Sequence, residues 1–231
     1  MTRIKLPLVS LRYLEHVLNL DRDFLREVAA AAGGHYRSFD FRPRGTACKW
    51  RHIDAPTSDL KRIQRRVARN LLRPIPMPPS MFGSVARRSV LGHARLHCGK
   101  QELLTLDLRN CFPSTTDTAV YRVLRDRLGC SSEIASMLVK LTTLHHRLPQ
   151  GAPTSSFMAI SYSSTCAMTS AASQWSGVCT GASTWTISRS PGAAHLPSRT
   201  TSLPRWGATD TVSIKLRRRR ITFAKSSRNT P

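Results

Sequence analysis

An acidic residue inside an apolar run is the feature that most restricts the fold of this chain. Leu103, Leu104, Leu106 and Leu108 surround Asp107, and the string from 104 to 114 reads LTLDLRNCFPS. A short apolar run of this kind indicates a buried strand. An ionised carboxylate is costly there unless hydrogen bonds or a metal ion compensate its charge. The run therefore predicts a strand that presents a functional Asp107, against the simpler alternative of a strand ending in a solvated carboxylate.

A second string, RLPQGAPTSS from Arg147 to Ser156, predicts a polar turn of unusual composition. Gly151 allows close backbone approach, and Gln150 supplies an amide that both donates and accepts hydrogen bonds. Two predicted helices, over 118–128 and 132–144, separate this turn from the strand of Asp107.

The charge of the chain sets the class of partner. Lys and Arg number 36 against 13 Asp and Glu, which gives a formal charge of +23 and makes polyanions the expected ligands. Membrane headgroups are the weaker alternative. No run reaches the ~18 apolar residues of a spanning helix, and the N-terminus is broken by Pro7, Glu15 and His16, so we expect no membrane contact and a cytoplasmic location.

Cysteine and histidine spacing gives little support for a metal centre outside the Asp107 strand. The six cysteines form no C-x-x-C pair, which argues against a zinc ribbon or a disulfide scaffold. His93 and His97 stand four residues apart and could share one helix face, but the sequence offers no matching third ligand.

The first half of the chain shows clear local patterns. Residues 1–35 are predicted to be helical, with Asp21 as an N-cap and Gly33 and Gly34 as the stop. Residues 36–56 mix basic, aromatic and turn residues, which predicts a twisted hairpin. From 59 to 72 the apolar residues fall on one helical face.

Basic residues occupy the remaining faces of that helix and a later loop. A face of this kind is usually no more than a solvated surface, and the alternative is a surface that tracks a nucleic-acid backbone, which the family resemblance described below favours. The predicted contacts are Lys61, Arg62, Arg65, Arg66, Arg69, Arg87 and Arg88.

Together, the two strings resemble motifs A and B of a reverse transcriptase. Lys49-Trp50-Arg51-His52-Ile53, Pro56 and the run from Leu60 to Arg65 resemble the fingers signature of retron-type and group II intron reverse transcriptases, and the loop 83–89 resembles a second fingers motif. The resemblance covers about 36–160. It implies an α+β fold with the fingers and a partial palm of a right-hand polymerase.

The resemblance also implies a division of the chain. An N-terminal helical segment occupies 1–35, and the fingers occupy 36–95. Palm motif A lies in 96–117, connecting helices of fingers and palm in 118–147, and motif B in 148–159. The tail, 160–231, reads neither as a palm nor as a thumb and is expected to be non-native or disordered.

By resemblance, individual residues receive roles in nucleotidyl transfer. Asp107 would be catalytic and would bind Mg²⁺, or Mn²⁺, together with the backbone carbonyl of Leu108. Arg51, and more weakly Arg44, would grip the triphosphate of the incoming nucleotide. Phe112 would crowd a ribose 2′-hydroxyl, unless it is an ordinary core residue. Gln150 and Gly151 would border the nucleotide and the template base.

The implied reaction is DNA synthesis directed by an RNA template. The expected partners are that template, the RNA/DNA duplex and a cognate noncoding RNA. A non-catalytic basic module that binds RNA or DNA is the alternative from another class. A viral RNA-dependent RNA polymerase is a lesser alternative, because the LPQG string and Phe112 disfavour it.

The sequence departs from this family after motif B. A Tyr-x-Asp-Asp motif is expected about thirty residues later to complete the metal site, but Asp210 is the one acidic residue in 160–231. The same region is rich in Ser and Thr and loses helical and strand periodicity. The chain as written is therefore predicted to be inactive, and a genuine Ser-, Thr- and Arg-rich nucleic-acid-binding tail is the competing interpretation.

A shifted reading frame would explain this departure. Trp is encoded by TGG and Thr codons begin with AC, so Trp185-Thr186 read one base earlier must give GAC, which encodes Asp. In that frame Thr184 to Ile187 can read Tyr-Val-Asp-Asp. One base inserted in the Ile160 codon would set this frame and place an Asn after Ala159.

Overall fold

The computed structural model describes residues 7–42, 50–100, 102–108, 110–169, 176–179, 184–189 and 214–220. Two helices come first, α1 (Leu11–Leu18) and α2 (Arg22–Ala30), followed by a 3₁₀ turn at Ala32–His35. The Asp21 carboxylate accepts the backbone N–H groups of Asp23 and Phe24, at 2.9 and 3.0 Å, and so caps α2 as the sequence predicts.

The predicted hairpin is present. Strands β1 (Tyr36–Phe41) and β2 (Arg51–Pro56) pair antiparallel, with Tyr36 opposite Pro56 and Phe41 opposite Arg51. Helix α3 (Ser58–Val67) follows and continues into a π-helical turn at Ala68–Leu72. It buries Leu60, Ile63 and Val67, which confirms the apolar face read from the sequence.

The middle of the chain alternates short helices with one strand. Helix α4 (Val90–Arg95) precedes β3 (Glu102–Leu108), and the short α5 (Cys111–Ser114) comes directly after it. Two longer helices follow, α6 (Asp117–Leu128), which ends at the left-handed Gly129, and α7 (Ser132–Thr142).

Helix α7 ends two residues before the predicted Leu144. Instead, Leu144 pairs with Arg147 across a tight turn at His145 and His146. Both turn residues have positive φ angles, 47° and 61°. A two-residue turn of this hand matches the twist of its flanking strands and cannot continue a helix.

A single large core joins the helices. It contains the fully buried Leu14, Leu25, Ile63, Leu124 and Leu138, which come from α1, α2, α3, α6 and α7 in that order. Gln64 is buried beside this core, and its amide donates to the Tyr36 hydroxyl at 2.8 Å and to the Leu141 carbonyl at 2.9 Å. Burial raises the pKa of Tyr36 to about 12. This network fastens the hairpin to α3 and α7.

Regular structure continues past Ala159, which the sequence pattern did not predict. Helix α8 spans Ser155–Thr169, and β4 (Ser176–Cys179), β5 (Thr184–Arg189) and β6 (Ile214–Arg220) follow. The four-stranded sheet has the order β4-β5-β3-β6 and is antiparallel throughout. Because backbone groups make these pairings, they need no alternation of apolar and polar side chains.

Candidate nucleotide and nucleic-acid site

The Leu-Pro-Gln-Gly turn lies between the hairpin and the segment that follows α5. The Gln150 carbonyl accepts the N–H of Asp54 on β2 at 2.8 Å, and the Leu148 N–H donates to the Thr115 carbonyl at 3.1 Å. Inside the turn, the buried Ser155 hydroxyl donates to the Pro149 carbonyl at 2.7 Å. The turn is therefore fixed on both sides by backbone hydrogen bonds.

Gly151 makes the closest contact with the hairpin. Its φ is +128°, a conformation that favours glycine, and a Cβ built there would lie 3.0 Å from Ile53 Cγ2 and 3.1 Å from the Asp54 carbonyl oxygen. No larger side chain fits without displacing β2. The sequence predicted that Gly151 borders a nucleotide and the template base, and that role stays a prediction; the close neighbour that the structure shows is the hairpin.

Three predicted nucleotide-binding residues are thereby brought to one region. Arg51 is exposed at the start of β2, two positions from the Ile53 that meets Gly151. Gln150 is half-buried in the turn itself. Arg44 lies outside the described residues.

Phe112 lies on α5 and is half-buried against the main core. Its helix packs on α8, and the helix N-cap, Asn110, has a left-handed backbone with φ of 52°. The core contact of Phe112 agrees with the alternative of an ordinary core residue, and its role beside a ribose stays a prediction.

Asp107 and Leu108 are the last two residues of β3. In the ladder with β5, Asp107 stands opposite Thr184, and in the ladder with β6 it stands opposite Lys215. The metal site implied by the resemblance needs further carboxylates beside Asp107. Neither partner strand carries an Asp or a Glu, so the residues present do not fit a pair of divalent ions.

The predicted basic residues divide into two groups. Lys61, Arg62, Arg65 and Arg69 lie on α3 and its π-helical extension, where Arg62, Arg65 and Arg69 are exposed. The Arg62 guanidinium also lies 5.8 Å from the centre of the Phe24 ring. Arg87 is exposed in the 83–89 loop with a φ of 64°.

Arg66 and Arg88 instead donate to backbone carbonyls of the protein itself. Arg66 bonds the carbonyls of Leu18 and Asn19, at 2.9 and 3.0 Å, where α1 ends. Arg88 bonds the carbonyls of Met77, Pro78 and Met81. Sequence reasoning missed these structural roles, because a distant carbonyl partner leaves no local signal.

The His93 and His97 rings do meet, as their spacing indicated. Their Nε2 atoms lie 3.3 Å apart, and burial lowers the pKa of both rings. Within the described part of the chain, no group of three or more His, Cys, Asp or Glu residues could hold a metal ion. None of the described helices is long and apolar enough to cross a membrane.

Comparison with known proteins identifies the class to which this arrangement corresponds. The matching proteins are reverse transcriptases, and they align with about half to two thirds of the chain. More particularly, they are retron reverse transcriptases, and the matched segment is therefore sequence of the retron reverse transcriptase type. No protein-family model matches the chain.

Three relatives illustrate the match. The Retron Ec86 reverse transcriptase of Escherichia coli is 32% identical over 151 residues, 65% of this chain and 47% of that protein. The Retron Se72 reverse transcriptase of Salmonella heidelberg (strain 579083-10) is 28% identical over 153 residues, which cover 66% of this chain and 40% of that protein. The Retron Mx162 reverse transcriptase of Myxococcus xanthus is 35% identical over 150 residues, which cover 57% of this chain and 30% of that protein. The matched segment spans less than half the length of each.

Proposed function

We propose that this chain is a reverse transcriptase relative that binds an RNA template and the RNA/DNA duplex but does not itself synthesise DNA. The observation that carries the binding half is the seating of the Leu-Pro-Gln-Gly turn against β2, which brings Gln150 and Gly151 to the strand that begins with Arg51. The parent reaction is addition of deoxynucleotides to a primer 3′ end under the direction of an RNA template. A cognate noncoding RNA is the proposed natural template.

The missing carboxylates carry the catalytic half of the proposal. Nucleotidyl transfer of this class needs carboxylates that converge on two divalent ions about 4 Å apart. In the backbone register Asp107 stands opposite Thr184 and Lys215, and neither position supplies a carboxylate. We therefore expect neither Mg²⁺ nor Mn²⁺ to be held in a productive arrangement.

We further propose that a shifted reading frame removed those carboxylates, and the pairing of β5 with β3 supports this explanation. Thr184 stands opposite Asp107 and Thr186 stands opposite Thr105. Opposite positions, and positions two residues away, share one face of an antiparallel pair, and the diagonal neighbours lie about 7–8 Å apart. Position 186, which the shifted frame must read as Asp, therefore lies on the face of Asp107 at a distance that two carboxylates can bridge through ions.

Primer extension tests the catalytic proposal. An RNA template with an annealed DNA primer is incubated with the whole chain, deoxynucleotides and Mg²⁺ or Mn²⁺. We expect no extension beyond that given by the Asp107→Asn variant, which keeps the shape of the side chain but removes its charge. Robust synthesis by the unaltered chain would overturn the proposal.

Repair of the reading frame is the complementary experiment, in which DNA synthesis should be gained. One base inserted in the Ile160 codon should restore an Asn after Ala159 and Tyr-Val-Asp-Asp at positions 184 to 187, given downstream sequence that encodes a thumb. Synthesis should then appear, and Asp107→Asn should abolish it. Reading the encoding DNA in all three frames is a cheaper check, because the absence of an Asp-Asp codon pair from every frame contradicts the explanation.

Binding is tested separately by its dependence on salt. Each phosphate contact releases counterions, so affinity for an RNA/DNA duplex should fall linearly on a log–log plot against salt. Arg65→Ala, on the exposed face of α3, should weaken binding of unrelated sequences to the same degree, because phosphate contacts carry little base information. An affinity that is independent of salt contradicts the binding half of the proposal.

A further inference from the structure

The hairpin has two chemically different faces. Residues directly opposite in an antiparallel pair share a face, so Arg37, Phe39 and Phe41 of β1 lie with Ala55, Ile53 and Arg51 of β2. We call this set the aromatic face. The other face carries Ser38, Asp40, His52 and Asp54.

The second face is satisfied within the hairpin. The Ser38 hydroxyl donates to an Asp54 oxygen at 2.6 Å, and His52 Nδ1 lies 2.9 Å from Asp40 Oδ1. His52 Nε2 also lies 3.4 Å from Asp54 Oδ1. This polar network stabilises the pairing of the two strands.

The aromatic face leaves two large rings partly exposed to solvent. Phe39 is 40% exposed and Phe41 is 49% exposed, although both are large apolar side chains. The Arg37 guanidinium lies 5.5 Å from the centre of the Phe39 ring, and Arg51 stands opposite Phe41. Exposed rings that alternate with arginines suit a ligand with flat aromatic surfaces and negative charge.

We propose that the aromatic face binds an unpaired nucleic-acid strand, with bases stacked on Phe39 and Phe41 and phosphate held by Arg37. This inference rests on the proposed function and names the form of nucleic acid that one part of the site takes. The net charge of +23 favours a polyanion over an apolar or basic protein segment. Stacking is tolerant of sequence, because every base offers a ring face.

The position of this face relative to the turn defines a path for the bound nucleic-acid strand. Ile53 belongs to the aromatic face and is also the side chain that Gly151 meets. Phe39 stands opposite Ile53, and Phe41 lies two residues further from the turn. A strand bound here therefore runs outward from Gly151 along the hairpin, past Phe39 and then Phe41.

Fluorescence anisotropy of the whole chain with short labelled single-stranded oligonucleotides tests the proposal. Phe41→Ala should weaken binding about 5- to 150-fold, the range that one lost stacking contact of ~1–3 kcal/mol gives. Phe41→Leu, which keeps an apolar side chain without a ring, should weaken binding nearly as much as Phe41→Ala does. Phe41→Trp, which offers a larger ring, should bind at least as tightly as the wild type.

Ser38→Ala is the matched control, since Ser38 lies on the same strand but on the opposite face and the change leaves the net charge unaltered. Its affinity should stay within about twofold of the wild type. An abasic oligonucleotide of the same length keeps the phosphates and removes the bases, so the wild type and Phe41→Ala should bind it equally. Circular dichroism should show that every variant is folded.

The outcomes separate this proposal from the one on which it rests. If Phe41→Ala binds single strands as tightly as the wild type while duplex binding remains salt-dependent, the aromatic face is not a stacking surface and only the further inference fails. If neither duplex nor single strand binds, the proposed function fails as well. If Phe41→Ala abolishes self-association in sedimentation velocity without changing oligonucleotide affinity, the face joins two copies of the chain and the proposal is wrong.

Discussion

Replacing Gly151 by Ala should destabilise the protein strongly, although the change adds a single methyl group. The φ of +128° is a conformation that costs a residue with a Cβ about 1–3 kcal/mol. The new Cβ would also lie 3.0 Å from Ile53 Cγ2 and 3.1 Å from the Asp54 carbonyl oxygen, where ordinary contacts are 3.4–4 Å.

The strand and the turn must therefore separate by several tenths of an ångström. That movement weakens the hydrogen bond from the Asp54 N–H to the Gln150 carbonyl, a further loss of about 1 kcal/mol. The sum is about 2–4 kcal/mol, a large part of the ~5–15 kcal/mol that stabilises a typical domain. With a urea slope of about 2 kcal/mol per molar, the unfolding midpoint should fall by about 1–2 M.

Urea unfolding followed by circular dichroism measures this shift, and Gly34→Ala is the matched control. Nothing lies within 4 Å of a Cβ built at Gly34, so that variant should be neutral or stabilised by up to ~1 kcal/mol. Adding Ile53→Ala to Gly151→Ala removes one of the two close contacts and should recover only part of the loss, because the backbone strain remains. A Gly151→Ala midpoint equal to that of the wild type would refute the reasoning.

Two further predictions concern the hairpin and the basic surface. The hydrogen bond to Asp40, and then the charge of Asp54, raise the pKa of His52 above its usual 6.5. The stabilisation that protonated His52 gives should be complete below pH 6.5 and should be lost as pH rises through the raised pKa. An NMR titration measures this pKa, and Asp40→Asn should return it towards 6.5. An unchanged pKa in that variant would contradict the assignment. Arg66→Ala should lower the free energy of unfolding by about 1–3 kcal/mol, because two carbonyls lose their partner. The exposed Arg65→Ala should change it by less than about 0.5 kcal/mol, and urea unfolding that ranks the two variants equally would contradict this division of roles.

Local chemistry explains which parts of the fold were predictable. Asp21 caps α2, Gly129 ends α6 and the apolar spacing of α3 faces the core, and each of these features depends on residues within one or two helical turns. The hairpin was predictable for the same reason, because its strands are neighbours in sequence. The left-handed pair His145 and His146 was not, since non-glycine residues seldom adopt that conformation.

Contacts between distant parts of the chain could not be read in this way. The sequence singled out Gly151 as a neighbour of the nucleotide and template base, but it gave no sign of the contact with β2, almost a hundred positions away. Arg66 looked like a phosphate ligand, but it bonds the carbonyls of Leu18 and Asn19, almost fifty positions away. A positive side chain satisfies either a phosphate or a carbonyl, and the sequence does not distinguish the two.

The sheet around Asp107 shows why architecture and catalysis can separate in one chain. Strand β3 pairs on both sides through backbone N–H and C=O groups, which every residue except proline provides. A change of reading frame replaces every side chain, yet it leaves this pairing capacity intact wherever proline is absent, as it is in β5 and β6. A metal centre has no such tolerance, because carboxylates must stand at particular positions beside Asp107. Under the proposed frameshift after motif B, the carboxylates would be lost at once while β3 would still find partner strands.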